Sequence, residues 1–460
     1  MTPGHIMFHS INPYNQEIIS AWSEYDEPTV AEILRKSLRA TQQWRTVPLR
    51  TRTTLMLGLA KQLRERSSEL AGIITREMGK PILESVSEIE KCAWVTEYYA
   101  ENADGMLQSE HVEGVADRAY VRKDPLGTIL AIMPWNFPFW QVFRCAIPMI
   151  AAGNSVVLKH APNVFGCAEA IEGVFREAGF PDGVFAGVRV HHRNVANIIS
   201  HQAINAVTFT GSTTAGAVVA AAAGASLKKS VLELGGSNAM VAFDDANVQS
   251  FCDDAVVARF SNAGQSCIAA KRLIIHKKHE ADIIGGLQER VASLIPGDPM
   301  QKQTTLGPLA RTDLAEKLEQ QVVESIRQGA RCVVGGNRER ALFEATILDN
   351  VKPSMRVFDE ETFGPVAAIT VAESNEQALQ LAQKTPYGLG VALYTADIER
   401  AENVAVGIKD GSVFINGIVR SDPRMPFGGT GNSGYGRELS HFGLTEFVNL
   451  KSVIIKNQLG

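Results

Sequence analysis

The chain has 460 residues, 45% hydrophobic and 21% charged, with a formal net charge of −5 at pH 7, which fits a folded protein of two or three domains. Mild negative charge with no basic tail argues against nucleic acid or an anionic membrane surface as a partner. No apolar run approaches the roughly 18 residues of a membrane-spanning helix, the first twenty residues lack an apolar signal-peptide core, and six cysteines in so long a chain do not make a disulfide framework, which points to a reducing cytoplasm.

The stretch Ile11-Asn-Pro-Tyr-Asn-Gln-Glu17 reads as a strand and turn entering the fold. Apolar residues at helical spacing then predict helices over 29–44, 49–67, 68–77 and 82–100. Alternation over 119–123 predicts a strand or hairpin arm. Residues 127–133 predict a buried strand ending in the bend Pro134-Trp-Asn-Phe-Pro138, with a helix over 142–152 behind it. A strand over 155–159, a helix over 167–178 and a strand over 206–210 follow, the last opening at Gly211-Ser212 into an alanine-rich helix. Strands alternating with helices imply a parallel sheet covered on both faces. Ligands of such sheets sit beyond the strand carboxyl ends, where Asn136, Lys159 and Ser212 all fall. From Glu233 a second alternating unit begins, with strands near 239–243, 273–276, 331–334, 368–371 and 413–416. Alternation over 450–456 predicts an edge strand that pairs with another subunit.

One cysteine stands apart. Residues 260–272, Phe-Ser-Asn-Ala-Gly-Gln-Ser-Cys-Ile-Ala-Ala-Lys-Arg, place Cys267 in a small polar turn between a predicted helix over 248–260 and a buried strand. Cys92, Cys145, Cys167, Cys252 and Cys332 lie in apolar or helical runs and read as small buried hydrophobes. On its own Cys267 fits a structural loop cysteine as well as a nucleophile. Its companions are Glu233, between leucines in Val231-Leu-Glu-Leu-Gly-Gly236, and Asn136, in the aromatic and proline bend. Nucleophile, carboxylate base and amide donor are the parts of acyl chemistry through a covalent intermediate.

These segments, with Phe209-Thr-Gly-Ser-Thr213 and Glu361-Thr-Phe-Gly-Pro365, resemble the aldehyde dehydrogenase superfamily in order along nearly the whole chain, and succinate-semialdehyde dehydrogenases within it. The resemblance implies an α/β fold: two Rossmann-like parallel-sheet domains with a small β oligomerisation flap. The expected division is a cofactor-binding domain over 1–103 and 126–232, a catalytic domain over 233–435 and an oligomerisation arm over 104–125 and 436–460. A homodimer or homotetramer is expected. In that family Cys267 would attack an aldehyde, Glu233 would act as general base, and Asn136 with the Cys267 N–H would hold the oxyanion. Met133, Pro134, Trp135, Lys159, His160, Pro162, Gly211, Ser212, Leu234, Glu361 and Phe363 would form the cofactor site, with Lys159 and Glu361 on the ribose. Gly211-Ser212 precedes a helix start suited to a phosphate. Residues 211–216 do not carry the G-x-G-x-x-G fingerprint, and Val188-Arg-Val-His-His-Arg193 departs from the family's glycine-containing loop.

Many NAD-preferring members carry a glutamate where this chain has Pro162, so no carboxylate repels a 2′-phosphate, and His160 is a possible contact to it. Both NAD and NADP are expected. No metal is called for. On the substrate side Arg144 matches the arginine that binds the remote carboxylate of succinate semialdehyde, a task suited to bidentate pairing; the alternative is a structural ion pair. Ser421 matches the family's substrate-loop serine, with Arg420 and Arg424 adding charge, and Trp140, Phe137 and Phe139 would form apolar walls. A second arginine usual in these enzymes is replaced by Ser261. Succinate semialdehyde to succinate is the expected reaction. A broad or aromatic aldehyde dehydrogenase is the alternative, an acylating enzyme is disfavoured by Glu233, and a non-catalytic binding member of the fold is the distant reading.

Overall fold

The computed structural model describes residues 7–457. The ends of the expected domain ranges, at 1–6 and 458–460, lie outside the described residues. A hairpin of β1 (Met7–Ile11) and β2 (Ile18–Ser23) leads into a helical layer of α1 (Glu27–Trp44), α2 (Leu49–Glu65), α3 (Ser67–Met78) and α4 (Ile82–Leu107). The Asp26 side chain accepts the Thr29 N–H at 3.0 Å, and Pro28 stands in the first turn of α1, both strong start signals. Gly79, at φ 80°, terminates α3 in a left-handed cap. Helix α4 runs about two turns past the predicted end at residue 100, to Leu107. Glu84, Ser87, Glu88 and Lys91 recur on it at the spacing of one helix face.

The first sheet follows the order β19-β9-β8-β5-β6-β7, built from β5 (Thr128–Met133), β6 (Ser155–His160), β7 (Phe185–Gly187), β8 (Ile204–Thr210), β9 (Lys229–Glu233) and β19 (Gly434–Tyr435). Its strands β5 to β9 are parallel, and β19 caps the edge antiparallel to β9. The crossovers carry α5 (Trp140–Ala152), α6 (Phe165–Glu177), α7 (Val195–Ser200) and α8 (Thr213–Ala225). Helix α5 is buried along its whole length between sheet and helical layer.

The second sheet has the order β12-β15-β16-β11-β10-β17-β18: β10 (Asn238–Ala242), β11 (Ala270–His276), β12 (Arg331–Val334), β15 (Thr346–Asp349), β16 (Val366–Ala372), β17 (Val391–Tyr394) and β18 (Val413–Ile415). All its pairs are parallel except β12 with β15. A two-stranded ribbon, β13 (Arg338–Glu339) with β14 (Leu342–Phe343), sits beside it, and α9 (Val248–Phe260) crosses from β10 toward β11.

A third sheet joins β3 (Glu110–His111), β4 (Arg118–Pro125) and β20 (Val448–Ile455) in the order β20-β4-β3. The expected edge strand thus exists, and it pairs along one side with β4 of its own chain, from Val448↔Pro125 to Ile455↔Arg118. The arm is shorter than expected at its carboxyl end. Leu439, Leu444 and Phe447 are buried in the core formed with α4 and α5, so 436–447 belongs to the body. The expected boundary at Glu233 also shifts: Glu233 closes β9 of the first sheet, opposite Thr210.

Candidate active site

The cysteine loop begins where α9 ends. Asn262, Ala263 and Gly264 follow one another with φ of 52°, 49° and 71°, a left-handed run that costs of order 1 kcal/mol or more for each residue with a side chain. Such a run persists only where its surroundings over-determine it. The Asn262 N–H donates to Glu84 Oε2 of α4 at 2.7 Å, and Asn262 Nδ2 donates to the Asn136 carbonyl at 2.8 Å. Gln265 Oε1 accepts the Ala310 N–H at 2.9 Å. Beyond the thiol, the Lys271 ammonium on β11 donates to the carbonyls of Ser266 and Cys267, each at 2.8 Å, and pairs with Glu361 at 3.2 Å. Lys271 escaped the sequence reading because a lysine opening a buried strand carries no local mark of its partners.

This loop sets Cys267 on the walls of two cavities. One, of about 240 Å³, reaches toward α4 and α5; the other, of about 480 Å³, opens between the two sheets. Burial raises the Cys267 thiol, while the positive charges of Arg144 and Lys271 work in the opposite direction.

Asn136 is 4% exposed and lines the larger cavity beside Cys267. One N–H of its amide donates to the Gln265 carbonyl at 3.0 Å, which ties the bend to the cysteine loop and leaves the second amide hydrogen for a ligand. Glu233 is 2% exposed, and neither carboxylate oxygen has a hydrogen-bond partner among the described residues. The backbone leaves it little room: a Cβ on Gly428 would stand 2.7 Å from its Oε1. Burial, and then the negative charge of Glu438, push the Glu233 carboxyl well above the usual carboxylate range. Glu438, which the sequence reading passed over, is buried and ion-paired with Arg144.

The larger cavity gathers most of the expected cofactor residues. Pro134, Trp135, Gly211, Ser212, Leu234, Glu361 and Phe363 line it, and Trp135 meets Phe363 edge to face with ring centroids 5.8 Å apart. Ser212 caps α8 by accepting the Ala215 N–H at 3.3 Å, so the start of that helix faces the cleft with Thr213 and Thr214. Glu361 accepts the Gly236 N–H at 3.1 Å and is held by Lys271 rather than by Lys159. Lys159 is 7% exposed at the end of β6 and makes no hydrogen bond or ion pair among the described residues. Burial lowers its ammonium to about 8. Lys159 is not among the residues lining this cleft, whereas the α8 start and the Glu361 carboxylate on its wall are a donor set and an acceptor that fit a dinucleotide.

Three expectations on this side are corrected. His160 does not reach the cleft. Its ring is 1% exposed, Nε2 donates to the Pro138 carbonyl at 2.9 Å, and Nδ1 accepts the Ala161 N–H at 2.9 Å. Burial holds it down to about 4, so the ring is neutral and pins the far end of the Asn136 bend. Met133 is buried in the core at the end of β5 and lines neither cavity. Pro162 is exposed on the short turn after β6, outside the cleft wall.

The smaller cavity holds the expected substrate residues. Arg144, Trp140 and Ser421 line it with Phe137, Ser261 and Phe427. Arg144 is 2% exposed and ion-paired with Glu438, so the structural pair foreseen as the alternative does form. Its Nη2 nevertheless has no hydrogen-bond partner, and its guanidinium lies 4.5 Å from the Phe427 ring. Phe139 is not a wall: it is fully buried against Phe143. Arg424 is offset by Asp422 at 2.7 Å, and neither it nor Arg420 lines the cavity. Lys91 of α4, which the sequence reading did not single out, lies on the wall with its ammonium 2.8 Å from Ser421 Oγ and 4.3 Å over the Trp140 ring. Burial, and then the Arg144 charge, lower Lys91 to about 8.

A family model described as aldehyde dehydrogenase family matches residues 2–453. The chain belongs to the aldehyde dehydrogenase family. Among relatives, it is 45% identical over 453 residues to the succinate semialdehyde dehydrogenase [NAD(P)+] Sad of Escherichia coli, covering 96% of this chain and 97% of that one. It is 40% identical over 449 residues to a probable succinate-semialdehyde dehydrogenase [NADP(+)] of Synechocystis, covering 97% and 99%. Among solved aldehyde dehydrogenase structures, that of the Streptococcus pyogenes succinic semialdehyde dehydrogenase in complex with NADP+ superposes with a TM-score of 0.95 at 34% identity, covering 98% of this chain and all of that one. The two-sheet architecture described above is therefore the aldehyde dehydrogenase fold.

Proposed function

We propose that the protein oxidises short aldehydes that carry a remote carboxylate, succinate semialdehyde first, to the carboxylic acid with NAD or NADP. The observation that carries this reading is the position of Cys267 on the shared wall of two cavities. One has the buried Arg144 in its lining and the other the parts of a dinucleotide cleft. The relatives named above, which act on succinate semialdehyde by name, support the same substrate.

The chain's own residues account for the steps. The aldehyde enters the smaller cavity, and the Cys267 sulfur adds to its carbonyl carbon as a thiolate, giving a tetrahedral alkoxide. The free N–H of Asn136 and the Cys267 backbone N–H stabilise that oxygen; one such donor is worth roughly 3–4 kcal/mol of barrier. When bound, the nicotinamide cofactor accepts the hydride that leaves this carbon. The carbonyl then re-forms as a thioester on Cys267. Glu233, once deprotonated, takes a proton from water, the hydroxyl adds to the thioester carbon, and the sulfur leaves as thiolate. Lys159, the α8 start and Glu361 bind the cofactor, and Trp135 and Phe363 form an apolar wall of the cleft. The relatives named above carry NAD(P)+ or NADP(+) in their names, which supports use of NADP beside NAD.

A reducing cytoplasm suits six unpaired cysteines. A homo-oligomer built through the arm suits β20, whose outer edge is unpaired among the described residues and whose Leu450 and Ile454 are exposed. The test is reduced-cofactor formation with succinate semialdehyde, run with NAD and with NADP, against Cys267→Ala. Turnover with both cofactors, lost in the variant, is the expected result. Turnover of benzaldehyde or butanal with none of succinate semialdehyde would replace the acidic substrate by a broad or aromatic one. A preference for NAD of several orders of magnitude would end the case for NADP.

A further inference from the structure

Among the cationic side chains on the wall of the substrate cavity, Arg144 is offset by Glu438, and the nearby Lys80, which holds Glu88, is outside the lining. Lys91 alone brings a positive charge to that wall without an ion-pair partner among the described residues. Ser261, where the family resemblance calls for a second arginine, lines the same cavity and brings no charge.

We propose that Lys91 is the second carboxylate-binding residue of the substrate cavity and that it, together with Ser421, sets the preference for aldehydes bearing a remote carboxylate. The inference rests on the proposed oxidation of such aldehydes. Three features carry it. Lys91 reaches the cavity from the face of α4 that also presents Glu84, Ser87 and Glu88, so a rigid helix rather than a loop positions it. Its ammonium has three N–H donors; one goes to Ser421 Oγ at 2.8 Å, and the others remain for a ligand. Having accepted that bond, the Ser421 hydroxyl keeps its own hydrogen to donate, so ammonium and hydroxyl together offer a carboxylate two donors side by side. The Trp140 face, 4.3 Å from the ammonium, steadies the charge without consuming a donor.

This arrangement also explains how the cavity tolerates Arg144 being tied to Glu438. An anionic substrate entering here meets the Lys91 ammonium even where the Arg144 charge is balanced by Glu438; of the two carboxylates on the same wall, Glu88 is offset by Lys80 and Glu84 accepts the Asn262 N–H. Length selection follows, because the thiol and the ammonium are fixed on one cavity of about 240 Å³.

The test is the ratio of kcat/KM for succinate semialdehyde to kcat/KM for butanal, a neutral aldehyde of the same carbon count, in wild type, Lys91→Met, Lys91→Gln and Lys91→Arg. The ratio is internal to each preparation, so a partly unfolded variant does not distort it. Lys91→Met and Lys91→Gln should lower the ratio about 10- to 100-fold, through KM for the acid with kcat held, and Lys91→Arg should restore most of it. A ratio unchanged in both Met and Gln variants would overturn the role of Lys91 while leaving the enzyme a succinate semialdehyde dehydrogenase. A wild type without preference for the acid over butanal would instead remove the substrate reading on which the inference stands.

Discussion

The proposed nucleophile and the proposed base of this site are built in opposite ways. The Cys267 loop is held from several sides: Glu84 takes the Asn262 N–H, Asn262 bonds the Asn136 bend, Asn136 bonds Gln265, and Lys271 grips the carbonyls of Ser266 and Cys267. Glu233, more deeply buried than Cys267, has no hydrogen bond at either oxygen among the described residues. A thiol must be presented at one fixed distance from an aldehyde and a hydride acceptor, so its loop is over-determined even at the expense of left-handed backbone. A base must change protonation and meet a water, and fixed donors on the carboxylate would pin it in the charged form and hold it in place. The difference is one of task, written in hydrogen bonds.

Breaking the free side of this comparison should have the largest effect. Glu233→Gln keeps the shape and removes the base, so steady-state turnover should fall by about 10²- to 10⁴-fold. A pre-steady-state burst of reduced cofactor, stoichiometric with enzyme, should survive, because thioester formation needs only the thiolate. Loss of the burst as well would mean that Glu233 also deprotonates Cys267, and the division of labour drawn here would fail.

Breaking the fixed side should first appear as stability. Lys271→Met leaves two buried carbonyls and the Glu361 carboxylate without their cation and should cost about 3 kcal/mol in urea unfolding. Weakened cofactor binding should accompany it, since Glu361 would lose its anchor. A variant of wild-type stability would show that the loop holds itself. Between the two sides stands Asn136, which is a strut and the proposed oxyanion donor. Asn136→Ala should lower kcat by about 10²- to 10³-fold, and a fall in stability alongside it would report the strut.

The chain order of strands and helices was legible because buried parallel strands read as apolar runs and the helices carry caps and 3.6-residue spacing. The short β7, β9, β15 and β17 went unread: they have three to five residues each and take their form from neighbours in the sheet. Cys267, Glu233 and Asn136 were legible because each sits in an unusual local string. Lys91, Lys271 and Glu438 were not, since a lysine on an amphipathic helix or at a strand start looks like solvated charge until tertiary packing buries it. His160 misled for the converse reason. A histidine next to the cofactor lysine suggested a ligand contact, yet alternation along β6 turns its ring inward to the Met133–Pro138 bend.

The smallest effect, and the sharpest on the comparison, is in pH. Burial raises both Cys267 and Glu233 above their ordinary values, so the deprotonation of each is displaced to higher pH and both become competent as pH rises. Turnover of butanal, which avoids any titration of Lys91, should therefore increase with pH from 6 to 9, by no more than about tenfold per pH unit for one ionisation. The two groups separate by step. The burst rate should follow the thiol in wild type and in Glu233→Gln alike, whereas the steady-state rate should lose its pH-dependent limb in Glu233→Gln, since the remaining hydrolysis has no titrating base. If the steady-state limb persists unchanged in that variant, the rise belongs to Cys267 alone, and the raised carboxyl of Glu233 is a consequence of its burial beside Glu438 rather than part of the reaction.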